Sequence, residues 1–111
     1  MSTKDYSDLQ EKQIAKLVGG NTQSNSGGTR FGGGDVKTNY FLIEAKTPTS
    51  PRASFSIRHA WIKKASEQAF EQGKQYSAVA FRFKPDGDDY FVISHKLFKQ
   101  FVLMLEKLEE V

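Results

Sequence analysis

The sequence predicts one α/β domain in which a mixed β-sheet is flanked by helices. The chain of 111 residues is long enough for about one compact domain but not for two. Its 38% apolar and 26% charged residues are typical of a chain that folds. Segments with helical periodicity alternate with segments rich in β-branched and aromatic residues, without an internal repeat. Residues 1–111 are therefore treated as one domain with a flexible glycine- and serine-rich loop at about 19–34.

The composition excludes several classes of protein. The chain lacks a run of about 18 apolar residues and an apolar N-terminal segment, so neither a membrane span nor a secretory signal is expected and a cytoplasmic location is predicted. It has no cysteine, which excludes disulfides and thiolate metal sites, and only two histidines, too few for a usual zinc site. Any bound metal would therefore have oxygen ligands.

A first helix is predicted from a capping-box pattern at 7–10, with Ser7 as the N-cap. Gly19 and Gly20 supply its stop signal. Glu11 lies on the same helical stripe as Ile14, so its carboxylate is expected at the border of the core.

The following segment, 21–34, is predicted to be a loop with a short strand at 29–31. Its glycines resemble a phosphate-binding loop only in part. Lys37 is preceded by Val36 rather than by glycine, so the P-loop pattern fails and ATP binding is not expected.

Two paired strands are predicted at 35–37 and 40–46, joined across 38–39. Alternate residues of a strand project to opposite faces. Glu44 and Lys46 are therefore expected on one face, opposite the apolar residues of the same strand.

A turn at 48–51 precedes a second helix, which is predicted to begin at a Ser54 or Ser56 cap and to run to about 72, with Gly73 as its stop. Trp61 is in phase with the apolar stripe of this helix, which favours core packing over base stacking.

A strand at 76–83 and a partner at 90–93 are predicted to form a hairpin. Ser94 is the predicted cap of the last helix. The apolar stripe of that helix is wider than one packed side needs, which suggests a subunit contact.

Positive charge is concentrated in the middle of the chain. The whole protein carries a net charge of +3, whereas residues 30–64 contain seven basic and two acidic side chains. This distribution favours an anionic partner such as a nucleic-acid backbone, and a solvated basic surface is the alternative. The candidate phosphate contacts are Arg30, Lys37, Arg52, Arg58, Lys63 and Lys64.

The two acidic residues of this basic segment, Asp35 and Glu44, form with Lys46 a pattern that suits phosphodiester hydrolysis. Carboxylates on adjacent strands can bridge a Mg²⁺ ion, with the backbone carbonyl of Ala45 as a further ligand. Lys46 is expected to position the attacking water or to stabilise charge developing on phosphorus. Glu11 is predicted as an outer or second-metal ligand. The alternative is that Glu44 and Lys46 form an ion pair on an exposed edge strand.

These residues resemble the PD-(D/E)XK nuclease superfamily, and within it the small Holliday-junction resolvases of archaea and related phage endonucleases. The resemblance covers nearly the whole chain, through the helix with Glu11, the loop segment 26–30, Gly34-Asp35-Val36 and the strand 41–47. Gly34 replaces the proline of the family motif, as in the phage-like members.

The resemblance implies a restriction-endonuclease-like fold, a homodimer, and an active site of Glu11, Asp35, Glu44 and Lys46 that cuts DNA with Mg²⁺, for which Mn²⁺ is expected to substitute. We therefore expect a DNA endonuclease of recombination and repair that makes paired symmetric nicks in a four-way junction, in the host cytoplasm if a phage encodes it. The alternatives are cleavage of flaps, duplex ends or nicks, and a non-catalytic DNA-binding module.

Overall fold

A computed structural model describes residues 2–22 and 35–110. Within these ranges the chain forms three helices and five strands: α1 (Thr3–Val18), β1 (Asn21–Thr22), β2 (Asp35–Lys37), β3 (Phe41–Lys46), α2 (His59–Glu71), β4 (Tyr76–Phe81), β5 (Tyr90–Val92) and α3 (His95–Glu109). The predicted α/β class with a mixed sheet and flanking helices is confirmed. The strand predicted at 29–31 lies outside the described residues.

The five strands form one sheet in the order β1-β2-β3-β4-β5. The β3–β4 pair is parallel, with α2 as its crossover, and the other three pairs are antiparallel. Asp35 is the register partner of Glu44. Because β3 is the central strand, the alternative that Glu44 and Lys46 lie on an exposed edge is wrong.

Helices α1 and α2 cover opposite faces of this sheet. Ile43 of β3 packs with Ile14 of α1, whereas Leu42 packs with Ala65 and Ala69 of α2. Residues of β3 alternate between the two faces. Glu44, two positions after Leu42, therefore lies on the α2 side of the sheet.

The N-cap of helix α1 lies five residues before the predicted cap. Ser2 is the N-cap: its hydroxyl accepts from the Asp5 amide, and the Asp5 carboxylate accepts from the Ser2 amide. Ser7 is buried inside the helix, so the predicted start was wrong. The helix ends at Gly19 as predicted, with φ of 68°.

Strand β1 lies where only a loop was predicted. It pairs with β2 through Asn21 and Thr22. The chain reaches this position because Gly20 approaches the sheet closely, where a Cβ atom would lie 2.4 Å from the carbonyl oxygen of Lys37. A single-sequence pattern of two residues is too short to predict such a strand.

Helix α2 begins at His59 rather than after Ser54 or Ser56, and its N-cap Arg58 makes no side-chain capping bond. The residues before it run along the sheet because Phe55 stacks on Phe81, with ring centroids 5.5 Å apart. The amide of Arg52 also donates to the carbonyl of Phe83 at 2.7 Å. These contacts hold residues 52–55 in an extended path, so the helix does not begin at Ser54 or Ser56.

The C-terminal half follows the predicted order. The hairpin of β4 and β5 is confirmed, although β4 ends at Phe81 and β5 at Val92. The Ser94 hydroxyl caps α3 by accepting from the Leu97 amide at 3.1 Å. Leu97 is also the one buried residue of α3. In the described part of the chain, none of the helices is both long and apolar enough to cross a membrane.

Candidate active site

Two buried carboxylates face each other at the ends of β2 and β3. Asp35 and Glu44 are register partners on these antiparallel strands, so their side chains project from the same face of the sheet. Both residues are fully buried. Placing two acidic groups side by side inside a protein is unfavourable unless a proton or a cation reduces their repulsion.

The protonation of Glu44 reflects this arrangement. Burial raises the pKa of Glu44 to about 7, and hydrogen bonding to Asp35 and the charge of Asp35 act in the same direction. The charges of Lys46 and Lys64 oppose the increase in this pKa. The carboxylate pair therefore retains a proton at a pH where an exposed glutamate is ionised.

Two lysines approach the pair from different elements. The Nζ atom of Lys46 lies 3.3 Å from Oε1 of Glu44, and that of Lys64 on α2 lies 3.8 Å from the same oxygen. Lys46 also lies over the Trp61 ring, 4.8 Å from its centroid. The aromatic ring limits where the Lys46 ammonium group can lie and keeps it beside Glu44.

The backbone of Lys46 is held by a buried polar network. The side chain of Gln10 on α1 donates to the Lys46 carbonyl at 2.8 Å and to Asp89 at 2.9 Å. Arg82, only 1% exposed, donates to both carboxylate oxygens of Asp89 and also to Gln13. This network, here called the Gln10–Arg82–Asp89 network, joins α1 and the β4–β5 hairpin to the end of β3.

The carboxylate pair is chemically suited to a hard divalent cation. Its ligand atoms would be oxygens. Among the described residues, neither carboxylate oxygen of Glu44 accepts a hydrogen bond from an N–H group, although Lys46 and Lys64 lie within ion-pair distance of one of them. Across residues 2–22 and 35–110, no three His, Asp or Glu side chains are grouped closely enough to hold a metal together. Mg²⁺ is commonly held by only one or two carboxylates, with water and substrate phosphate completing its shell. Asp35 and Glu44 would therefore be the protein's carboxylate ligands.

Glu11 differs from the other predicted site residues. It is buried on α1, the helix that packs on the other face of the sheet from Glu44. Its carboxylate is not close enough to Asp35 and Glu44 for the three side chains to hold one metal ion together. A role for Glu11 as an outer or second-metal ligand stays a prediction, as does the role of the Ala45 carbonyl.

The predicted phosphate contacts are spread over the structure. Lys64 is brought to the carboxylate pair. The guanidinium carbon of Arg58 lies 6.0 Å from the centroid of the Trp61 ring. Lys63 and Arg52 are exposed. Lys37 is two residues from Asp35 along β2, about 7 Å away. Arg30 lies outside the described residues.

Two contributions to the site differ from what the sequence predicts. The capping-box pattern at 7–10 predicts a helix cap for Gln10, and Lys64 is expected only as a phosphate contact. The helix cap is formed instead by Ser2 and Asp5, whose spacing is itself a capping-box pattern. Because these residues cap the helix, Gln10 is available for another role. The approach of Lys64 depends on how α2 packs on the sheet, for which the sequence has no local signal.

Comparison of the chain with protein-family models, with curated protein sequences and with solved structures finds no match.

Proposed function

We propose that this protein is a Mg²⁺-dependent endonuclease that hydrolyses phosphodiester bonds in branched DNA, with a four-way junction as its substrate. The observation that carries the proposal is the buried Asp35–Glu44 pair with the Lys46 ammonium group 3.3 Å from Glu44. The resemblance to PD-(D/E)XK nucleases supports the same chemistry. Two nicks in one junction need two active sites, so the proposal includes a homodimer.

Each residue has a distinct task in this proposal. Asp35 and Glu44 would hold the ion, which when bound would polarise the scissile phosphate and lower the pKa of a coordinated water. Lys46 orients the attacking water or stabilises negative charge on the phosphate oxygens. Lys64, about half exposed beside the same carboxylate, would contact the DNA backbone.

The test is cleavage of synthetic junction, flap and duplex DNA with Mg²⁺ or with chelator. We expect Glu44→Ala to lower the cleavage rate at least ~100-fold, because the metal site and the stabilisation of transition-state charge are both lost. Binding of the junction should persist. Glu67→Ala, an exposed acidic position on α2, is the control and should cut at the normal rate. Normal cutting by Glu44→Ala would refute the proposal.

Metal titration separates the nuclease from a DNA-binding module without activity. A nuclease should bind Mn²⁺ in a way that Asp35→Asn weakens, as measured by calorimetry. A module that only binds DNA should be indifferent to the ion and should show the ordinary salt dependence of counterion release.

A further inference from the structure

Helix α3 leaves a large apolar surface uncovered. Phe98, Leu105 and Leu108 are 59%, 59% and 64% exposed, and they share one side of the helix with Val102. We call these four residues the apolar face of α3. Soluble monomers rarely expose so many large apolar side chains in one continuous patch. A covering surface is therefore expected.

Two opposite charges of α3 lie symmetrically about a point near its midpoint. Lys99 and Glu106 are equally far from the point between Val102 and Leu103. Lys99 and Glu106 are seven residues apart, which is about two helical turns, so both flank the same edge of the apolar face.

We propose that the apolar face of α3 packs against α3 of a second copy of this chain in an antiparallel arrangement. The two-fold axis passes between Val102 and Leu103. Lys99 then faces Glu106 of the partner subunit, and the same pair recurs on the other side of the axis because the interface is isologous. In a parallel arrangement the two copies of this edge would lie on opposite sides of the interface, so Lys99 would not face Glu106. Antiparallel helix dipoles also attract each other.

The charge of α3 favours a second copy over a lipid surface. Residues 95–110 contain three lysines and three glutamates, which gives this segment no net charge. Membrane-surface helices usually carry an excess of lysine and arginine on the polar face. The proposal rests on the proposed function in one respect: the dimer would supply two active sites for one junction. The observations that support the dimer all come from α3.

The first test is sedimentation velocity over a range of protein concentrations. We expect the unmodified chain to form a dimer and Leu105→Glu to weaken its association about 30-fold or more, because a charge is buried at the contact. Leu103→Glu is a matched control: Leu103 is 58% exposed, close to the 59% of Leu105, but lies on another side of the helix. A monomeric unmodified chain, or equal weakening by both substitutions, would overturn the proposal.

The second test fixes the direction of pairing and does not depend on a disruptive substitution. The chain has no cysteine, so a single introduced thiol can link only to its copy in another chain. A disulfide needs Cα atoms within about 7 Å. Val102→Cys, near the axis, should give a cross-linked dimer on oxidation, whereas Phe98→Cys should not, since the two copies would be about 13 Å apart along the axis. Absence of the Val102→Cys link, or equal linking at both positions, would contradict antiparallel pairing.

A third test distinguishes failure of the dimer proposal from failure of the proposed nuclease function. Glu44→Gln should sediment as a dimer even though it does not cut DNA. Lys99→Glu should weaken the dimer, and adding Glu106→Lys should restore it, because the exchanged charges again face each other. A double variant no better associated than Lys99→Glu would exclude the proposed register whether or not the protein is a nuclease.

Discussion

At the scale of a single residue, Glu44 connects the stability of the protein with pH and, under the proposed function, with cation binding. It is fully buried beside Asp35, and burial together with that neighbour raises its pKa to about 7. In the unfolded chain the carboxyl titrates near its ordinary value of 4.5. Between these two values the folded protein holds a proton that the unfolded chain releases. The contribution of Glu44 to folding stability is therefore greatest below pH 4.5, and it is lost as the pH rises through 7.

We predict that the metal-free protein loses roughly 3 kcal/mol of unfolding free energy between pH 4.5 and pH 8 through this group. Urea unfolding in chelator at several pH values measures the loss. Glu44→Gln should remove most of this dependence, because the amide does not titrate.

Added Mg²⁺ should stabilise the protein more at pH 8 than at pH 5, since the cation competes with the proton for the carboxylates. A thermal unfolding series at both pH values checks this comparison. Equal stabilisation at the two values would show that Asp35 and Glu44 do not bind the ion.

At the scale of elements, the Gln10–Arg82–Asp89 network couples three separate parts of the fold. Arg82 and Asp89 form an ion pair at 2.6 Å whose side chains are only 1% and 7% exposed. The Arg82 side chain also donates to the carbonyl of Pro85 at 2.9 Å. Removing one member of a buried ion pair leaves the other charge without compensation.

We predict that Arg82→Met destabilises the protein by about 3 kcal/mol, as measured by urea unfolding. Lys4→Met is the matched control, because it removes only an exposed ion pair with Asp8 and should change the stability little. Adding Asp89→Leu to Arg82→Met should recover part of the loss. A cost for Arg82→Met as small as that for Lys4→Met would argue against the coupling.

Local patterns predicted those parts of the fold that depend on neighbouring residues. Period-two alternation placed Glu44 and Lys46 on one strand face, and Gly19 and Ser94 marked helix ends correctly. Patterns failed where distant segments decide the conformation. The segment before α2 follows the sheet because Phe55 stacks on Phe81, and that contact joins residues that no local window contains.

The candidate site was predictable to the same extent. The hairpin of β2 and β3 is local, so the pairing of Asp35 with Glu44 follows from its turn and from strand alternation. Lys64 and Gln10 reach the site from helices on opposite faces of the sheet. Their roles depend on helix packing and were therefore not predictable.

At the scale of the whole molecule, basic side chains concentrate around the carboxylate pair. Lys46 and Lys64 approach Glu44 directly, and exposed Lys63 lies beside Lys64 on α2. Lys12 is also exposed but belongs to α1, on the other face of the sheet. A nucleic-acid backbone lying across the α2 side would be attracted to the first group and not to Lys12.

We predict that Lys63→Ala weakens binding of junction DNA and lowers by about 1 the slope of log affinity against log salt concentration. Lys12→Ala should leave this slope unchanged. Fluorescence anisotropy with labelled DNA from 50 to 200 mM salt measures both variants. An equal change in the two slopes would place the DNA elsewhere on the surface.

The central position of β3 has a consequence for protein synthesis. Both carboxylates and Lys46 leave the ribosome early, but β3 acquires its parallel partner β4 only after the crossover helix has been made. The hydrogen bond from Gln10 to Asp89 spans 79 residues and closes later still. Contacts of such long sequence separation are slow to form. The candidate site is therefore complete only when translation is nearly finished, and under the proposed function an unfinished chain would not cut DNA.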